Sequence, residues 1–312
     1  MRSGSLTSPS TPGSRKAAPG PVQVWIMASR IPTLPAAVVP VLVGSATALA
    51  VRDQFHVGGF LAALVASLLI QIGTNFANDL FDFKRGADTE KRTGPTRVTT
   101  AGYVTPGQMA RATVLVFGLA FLVGLYLVYL RGWPILAVGV AAIVSGVLYT
   151  AGPFPLAYHG LGDVFTFIFF GVVAVVGTHF VHTGHADWLA WAASIPVGFL
   201  VTAILVVNNL RDIPTDRETG KRTLAVRLGD RGTRLQYLFL VAGSYAVPVA
   251  AWLAGGTGPS VLLPWVSAPL AYSLVRTVMG GAGGAGLNPV LGGTGRLHLL
   301  YGLLWAVGLV WA

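Results

Sequence analysis

Two stretches of this 312-residue chain set carboxylates and amides at helical spacing beside basic residues. One reads Asn78-Asp79-Leu80-Phe81-Asp82, the other Asn208-Asn209-Leu210-Arg211-Asp212, and both fit Asn-x-Leu-x-Asp. Residues four apart share a helix face, so Asn78 pairs with Asp82 and Asn208 with Asp212. Asp212 and Asp216 repeat the spacing, with Pro214 between them weighing against an unbroken helix. Ten residues after each leading asparagine stands an acid, Asp88 or Glu218, and thirteen after it stands Lys-Arg-Thr, at Lys91-Arg92-Thr93 and Lys221-Arg222-Thr223. Oxygen ligands without cysteine or a well-placed histidine suit a hard ion such as Mg²⁺, which takes few carboxylates and fills its shell with phosphate and water. Lys91, Arg92, Arg97, Lys221 and Arg222 stand where they could clamp phosphate oxygens. One such stretch alone reads as a solvated helix end. Two in matching register point to two pseudo-symmetric halves that face one site for an amphipathic diphosphate.

The elements that must position these residues are membrane helices. The chain is 54% hydrophobic and only 10% charged, against about 25% charged in ordinary soluble domains. A soluble globule cannot hide so much apolar surface. The apolar runs are continuous, whereas the strands of a membrane barrel alternate. Nine such runs are expected as spans: Ile31–Ala50, Gly58–Asn78, Gln108–Leu130, Trp133–Thr150, Gly162–His182, Asp187–Leu210, Leu235–Gly255, Pro259–Met279 and Arg296–Ala312. The fold class is therefore all-α: a polytopic membrane protein with nine transmembrane helices over 22–312, preceded by a Ser-, Thr-, Pro- and Gly-rich tail over 1–21 that reads as disordered. With the N-terminus in the cytoplasm, 19 of the 21 Lys and Arg fall inside and only Arg52 and Arg131 outside. The net charge of +10 is then the positive-inside bias and not a nucleic-acid footprint. Both motif loops lie on the cytoplasmic side. The lack of cysteine removes disulfides, thiolate metal sites and thiol nucleophiles.

Other features read more blandly. His179, His182 and His185 are expected at a wet outer interface. Asp163 opens the fifth helix, where a helix cap is the simple role and contact with a substrate the alternative. The glycine-rich run from Gly280 to Gly286 lacks the Lys-Ser/Thr of a phosphate loop and is expected as a flexible linker.

The pair Asn78-Asp79-x-x-Asp82, followed by Asp88, and Asp212-x-x-x-Asp216 resembles the two aspartate-rich motifs of the UbiA superfamily of intramembrane prenyltransferases. The likeness runs from Trp25 to the ninth helix. More narrowly, the run from Asn208 to Gly229, the segment Arg30-Ile31-Pro32-Thr33-Leu34-Pro35 and the segment from Gly152 to Tyr158 are similar to the branch that prenylates 1,4-dihydroxy-2-naphthoate. Asp88 departs from the usual spacing, with Gly86 as an insertion that looks typical of this branch. The resemblance implies a UbiA-like bundle in the cell membrane whose site opens to the cytoplasm. It implies Mg²⁺ held by Asn78, Asp82, Asp88, Asp212 and Asp216, of which Asn78, Asp82, Asp212 and Asp216 are the catalytic set. It further implies diphosphate bound by Lys91, Arg92, Arg97, Lys221 and Arg222, and a prenyl and acceptor pocket with Tyr149, Tyr158, Asp163, Asn208 and Asn209. Phe76, Tyr149, Phe165 and Phe169 could stabilise an allylic cation. The implied partners are a polyprenyl diphosphate, an aromatic acceptor and the bilayer, with no nucleic acid. The implied reaction replaces CO₂ on the naphthoate by the prenyl group and gives demethylmenaquinone. Another aromatic or lipid acceptor is the first alternative. A transporter of anionic amphiphiles is the second, disfavoured because the polar residues gather at one membrane face.

Overall fold

A computed structural model describes residues 19–86, 94 and 96–312. Most of the expected tail, and Asp88, Lys91 and Arg92, lie outside the described residues. The first helix, α1, is short and runs Pro21–Ser29. Then follow α2 (Pro35–Arg52), α3 (Val57–Lys84), α4 (Pro106–Arg131), α5 (Trp133–Leu148), α6 (Gly162–Thr183), α7 (Trp188–Glu218), α8 (Leu224–Leu253), α9 (Pro259–Met279) and α10 (Asn288–Val310). No strand occurs among the described residues. Seven of these helices are long and apolar enough to cross a membrane, and α5 is apolar but shorter. Their outward faces carry large apolar side chains in the open, such as Val114, Leu122 and Tyr129 on α4, which suits lipid and not water. The chain is a multi-pass helical membrane protein.

Small residues let the helices approach closely, as membrane packing requires. A Cβ on Gly44 of α2 would lie 2.4 Å from the Val175 carbonyl of α6, and one on Gly171 of α6 would lie 2.5 Å from the Gly198 Cα of α7. Near this contact α6 widens to a π-helix over Phe167–Val173, a distortion that recurs at functional sites. Gly132 alone joins α4 to α5 at φ +78°, a conformation in which any side chain is strained. The largest core lies between α7, α8 and α10, around the fully buried Leu200, Tyr237, Tyr301 and Trp305.

Pro214 does not end α7, which continues to Glu218. A proline removes one backbone donor and crowds the carbonyl four residues before it, yet Asp212 and Asp216 keep their helical register. Two of the three histidines also differ from expectation, while His185 is exposed as expected. His179 and His182 are buried. His179 bridges the Thr47 hydroxyl at 2.9 Å and the Asp187 carboxylate at 2.8 Å. His182 accepts from the His56 backbone N–H at 3.0 Å and pairs with Ser45 at 2.9 Å. Arg52 grips Asp187 through two nitrogens at 2.7 and 2.8 Å, and Arg131 donates to the Val181 and His182 carbonyls at the end of α6. This end of the bundle is a polar knot in which side chains of α2, α6 and the start of α7 pair across helices, with Arg52 and Asp187 at its exposed edge. The glycine-rich run is also tethered: Arg234 donates to the Val278 carbonyl and, at 2.9 Å, to that of Ala282.

Candidate active site

A cavity of about 980 Å³ runs inside the bundle. Its lining on α3 extends from Ala63 to Asp82, about 28 Å at roughly 1.5 Å per residue. The walls are mostly small and apolar, with Phe165, Phe169 and Phe170 contributed around the π-helical turn. Polar side chains gather at one end. Asn78, Asp82, Arg97, Tyr149, Asp163, Asn208, Asn209 and Lys221 all line this one space.

The end of α3 supplies the first motif. Asn78 Oδ1 accepts from the Thr150 hydroxyl at 3.0 Å. Asp82, almost wholly buried, accepts from Arg97 Nη2 at 3.1 Å and from the Tyr158 hydroxyl at 3.0 Å. Asp79 points elsewhere: its two oxygens take the backbone N–H groups of Val98 and Thr99, both at 3.1 Å. It thereby pins the segment that carries Arg97. Sequence reasoning left Asp79 without a role, although an acid between Asn78 and Asp82 must face another side of the helix.

α7 supplies the second motif. Arg211 chelates Asp212 through two bonds of 2.7 Å and also donates to Asn208 Oδ1 at 2.8 Å and Asn288 Oδ1 at 2.9 Å. Asp212 and Asp216 are buried behind the lining, while Asn208 and Asn209 reach it. Arg211 was not expected as a partner, because a residue next to an aspartate in a helix normally points away from it. The guanidinium is long enough to fold back.

Tyr149, just after α5, lines the cavity with residues of both motifs, and its hydroxyl lies against Gly162 at the start of α6, 3.0 Å from where a Cβ there would stand. Asp163 caps no helix among the described residues. Its Oδ2 accepts from Gln236 at 3.2 Å, and its buried Oδ1 has no donor. Tyr158 lies at the rim, where Arg85 and Lys221 sit over its ring, each at 5.2 Å. Arg222 joins the rim by its backbone, donating to the Tyr158 carbonyl at 3.1 Å, with its side chain exposed.

Among the described residues no three His, Asp or Glu side chains converge to hold a metal. The donor set of Asn78, Asp82, Asp212 and Asp216 is nonetheless all oxygen, and Arg97 and Arg211 now neutralise two of its carboxylates. An ion that shares its shell with phosphate needs only a few of these oxygens.

The sequence pattern of the UbiA prenyltransferase family matches residues 37–282. The chain belongs to this family. Among UbiA relatives, the 1,4-dihydroxy-2-naphthoate octaprenyltransferase of Mycobacterium tuberculosis is 39% identical over 279 residues, covering 89% of this chain and 94% of its own. The enzyme of the same name from Escherichia coli is 35% identical, covering 92% and 95%. The fold matches a UbiA homolog from Aeropyrum pernix at TM-score 0.67 and 17% identity, over 91% of this chain and 97% of that one. A UbiA homolog from Archaeoglobus fulgidus bound to GPP and Mg²⁺ matches at 0.65 and 13% identity, over 93% and 100%. This UbiA chain is a prenyltransferase.

Proposed function

We propose that this enzyme transfers a polyprenyl group from its diphosphate to 1,4-dihydroxy-2-naphthoate, with loss of CO₂ and diphosphate, giving demethylmenaquinone. The observation that carries this reading is a single cavity with a polar, two-motif end and a long apolar body, in a chain 39% identical to a naphthoate octaprenyltransferase. The apolar body takes the prenyl tail. The polar end takes the diphosphate.

Asn78, Asp82, Asp212 and Asp216, with Asp88, would hold Mg²⁺. When bound, Mg²⁺ supplies positive charge that stabilises the leaving diphosphate. Lys91, Arg92, Arg97, Lys221 and Arg222 bind the phosphate oxygens, so Arg97 exchanges Asp82 for phosphate when substrate arrives. Tyr158 and Asp79 act through others: one orients Asp82, the other anchors the segment that carries Arg97. Tyr149, Asp163, Asn208 and Asn209 shape the space beside the reacting carbon. The aromatic rings near the π-helical turn stabilise an allylic cation, and the apolar walls exclude the water that would quench it.

The enzyme sits in the cytoplasmic membrane with nine spans, the seven long helices joined by α5 and α10. The N-terminus is cytoplasmic and the site opens on that side, a topology supported by the one-sided distribution of Lys and Arg. The test is purified enzyme, Mg²⁺ and a polyprenyl diphosphate. Prenylated product and CO₂ from 1,4-dihydroxy-2-naphthoate are expected, with 4-hydroxybenzoate much slower. Preference for 4-hydroxybenzoate, or diphosphate release without CO₂, overturns the acceptor.

A further inference from the structure

Deeper along α3, beyond the diphosphate end, Thr33, Gln71 and Asn75 form a small polar shelf in the apolar wall. The Thr33 hydroxyl donates to the Arg30 carbonyl at 2.9 Å. It accepts from Gln71 Nε2 and from Asn75 Nδ2, each at 3.1 Å. A hydroxyl offers one proton and two lone pairs, so Thr33 is saturated. Its proton is spent on Arg30, and therefore only the NH₂ group of Gln71 can face it. The amide cannot be reversed without losing that bond. Gln71 Oε1 is thus left as an acceptor, and in a side chain only 8% exposed it meets no donor. Buried acceptors normally find partners, and one that does not calls for an explanation.

The position supplies one. Gln71, Asn75, Asn78 and Asp82 all line the cavity from α3, spaced by about one helical turn each. Gln71 lies roughly 10 Å deeper than Asn78 along the axis at about 1.5 Å per residue. With the diphosphate at Asn78 and Asp82, as in the function proposed above, its first prenyl carbon would sit just inside Asn78. An acceptor ring attacking that carbon would come abreast of Asn75 and Gln71, which line the same cavity.

We propose that Gln71 is a specificity-determining residue, its Oε1 accepting a hydrogen bond from a ring hydroxyl of the acceptor while Thr33 holds the amide in that orientation. The proposal rests on the acceptor assigned above. It explains how a mostly apolar pocket selects a dihydroxy ring: an acceptor that lacks the hydroxyl leaves Gln71 unpaired, and sites built for a hydrogen bond reject analogues that cannot form it.

The experiment uses the full-length enzyme with Mg²⁺ and polyprenyl diphosphate. 1-Hydroxy-2-naphthoate and 4-hydroxy-2-naphthoate serve as competitors against 1,4-dihydroxy-2-naphthoate, in the wild type, Gln71→Leu and Thr33→Val. In the wild type one of the two competitors is expected to bind about tenfold more weakly than the dihydroxy compound, the loss of one buried hydrogen bond. Gln71→Leu should abolish that difference and raise the KM for the dihydroxy acceptor about tenfold, with the KM for the prenyl diphosphate unchanged. Thr33→Val should give part of the same loss. Equal binding of all three naphthoates by the wild type overturns the proposal without recourse to any variant, and so does a Gln71→Leu enzyme that keeps the wild-type preference. A wild type that prenylates a different acceptor class removes the acceptor reading itself, an outcome distinct from both.

Discussion

Asp82 and Asp212 show how a residue's chemistry depends on its partner. Each is a buried carboxylate held by an arginine, Arg97 at 3.1 Å and Arg211 at 2.7 Å. Removing the acid takes the carboxylate away from a buried guanidinium as well as deleting a proposed oxygen ligand. Asp82→Ala and Asp212→Ala are each expected to lower turnover by at least about 10²-fold. The double variant should be little worse than either, because the ligands act as a unit. Product formation under saturating Mg²⁺ measures this, and near-wild-type turnover by either folded single variant would sink the assignment. Asp187, at the other end of the bundle, titrates in a readable way. Arg52 and then His179 hold its pKa well below the usual carboxylate range. A depressed folded pKa adds stability above the unfolded value of about 4, and that stability is lost as pH falls toward the folded value. The melting temperature of Asp187→Asn should therefore fall short of wild type at pH 7, with the gap narrowing below about pH 4. A gap that widens on acidification contradicts the ion pair.

Helix contacts put the residues where they act. The Gly171–Gly198 approach fixes the π-helical turn of α6 against the middle of α7, the helix that carries the second motif. A methyl at Gly171 would meet the backbone of α7, at 2.5 Å from Gly198 Cα and 3.2 Å from the Ser194 carbonyl oxygen, and backbone cannot rotate away. Gly171→Ala should cost about 1–3 kcal/mol, the range for overpacking. Gly118 in α4 has nothing within 4 Å of its missing Cβ. Gly118→Ala should be neutral or raise stability by up to about 1 kcal/mol through helix propensity. Thermal unfolding in one detergent decides both, and equal effects would remove the packing argument. The register of α7 through Pro214 belongs to the same scale. Tertiary contacts to α8 and α10 hold the helix where local propensity would break it.

For the whole molecule, the polar end and the histidine knot lie at opposite ends of the bundle, with the cavity between them. Cysteine scanning separates the two faces, since the native chain has no cysteine. Thr219→Cys, beside the second motif, should resist an impermeant thiol reagent in intact cells and react after lysis. Gln54→Cys, in the exposed α2–α3 connection, should react in intact cells. The reverse pattern would invert the topology.

Composition and pattern determined by themselves that this is a helical membrane protein with two matched polar motifs. Continuous apolar runs have one solution in a bilayer, because only a helix satisfies its own backbone there. The Asn-x-Leu-x-Asp repeat made Asn78, Asp82, Asn208 and Asp212 legible, since spacing along a helix is a local property. Residues recruited across helices were not legible. Nothing near Arg97 in the chain shows that it meets Asp82, or that Asp79 pins its segment. The burial of His179 and His182 depends on Ser45, Thr47 and Asp187 arriving from α2 and the start of α7. Gln71 reads as one polar residue in a hydrophobic span until Thr33 closes on it. Pairing between distant parts of the chain is set by how close the helices can approach, and only the packed tertiary structure decides that.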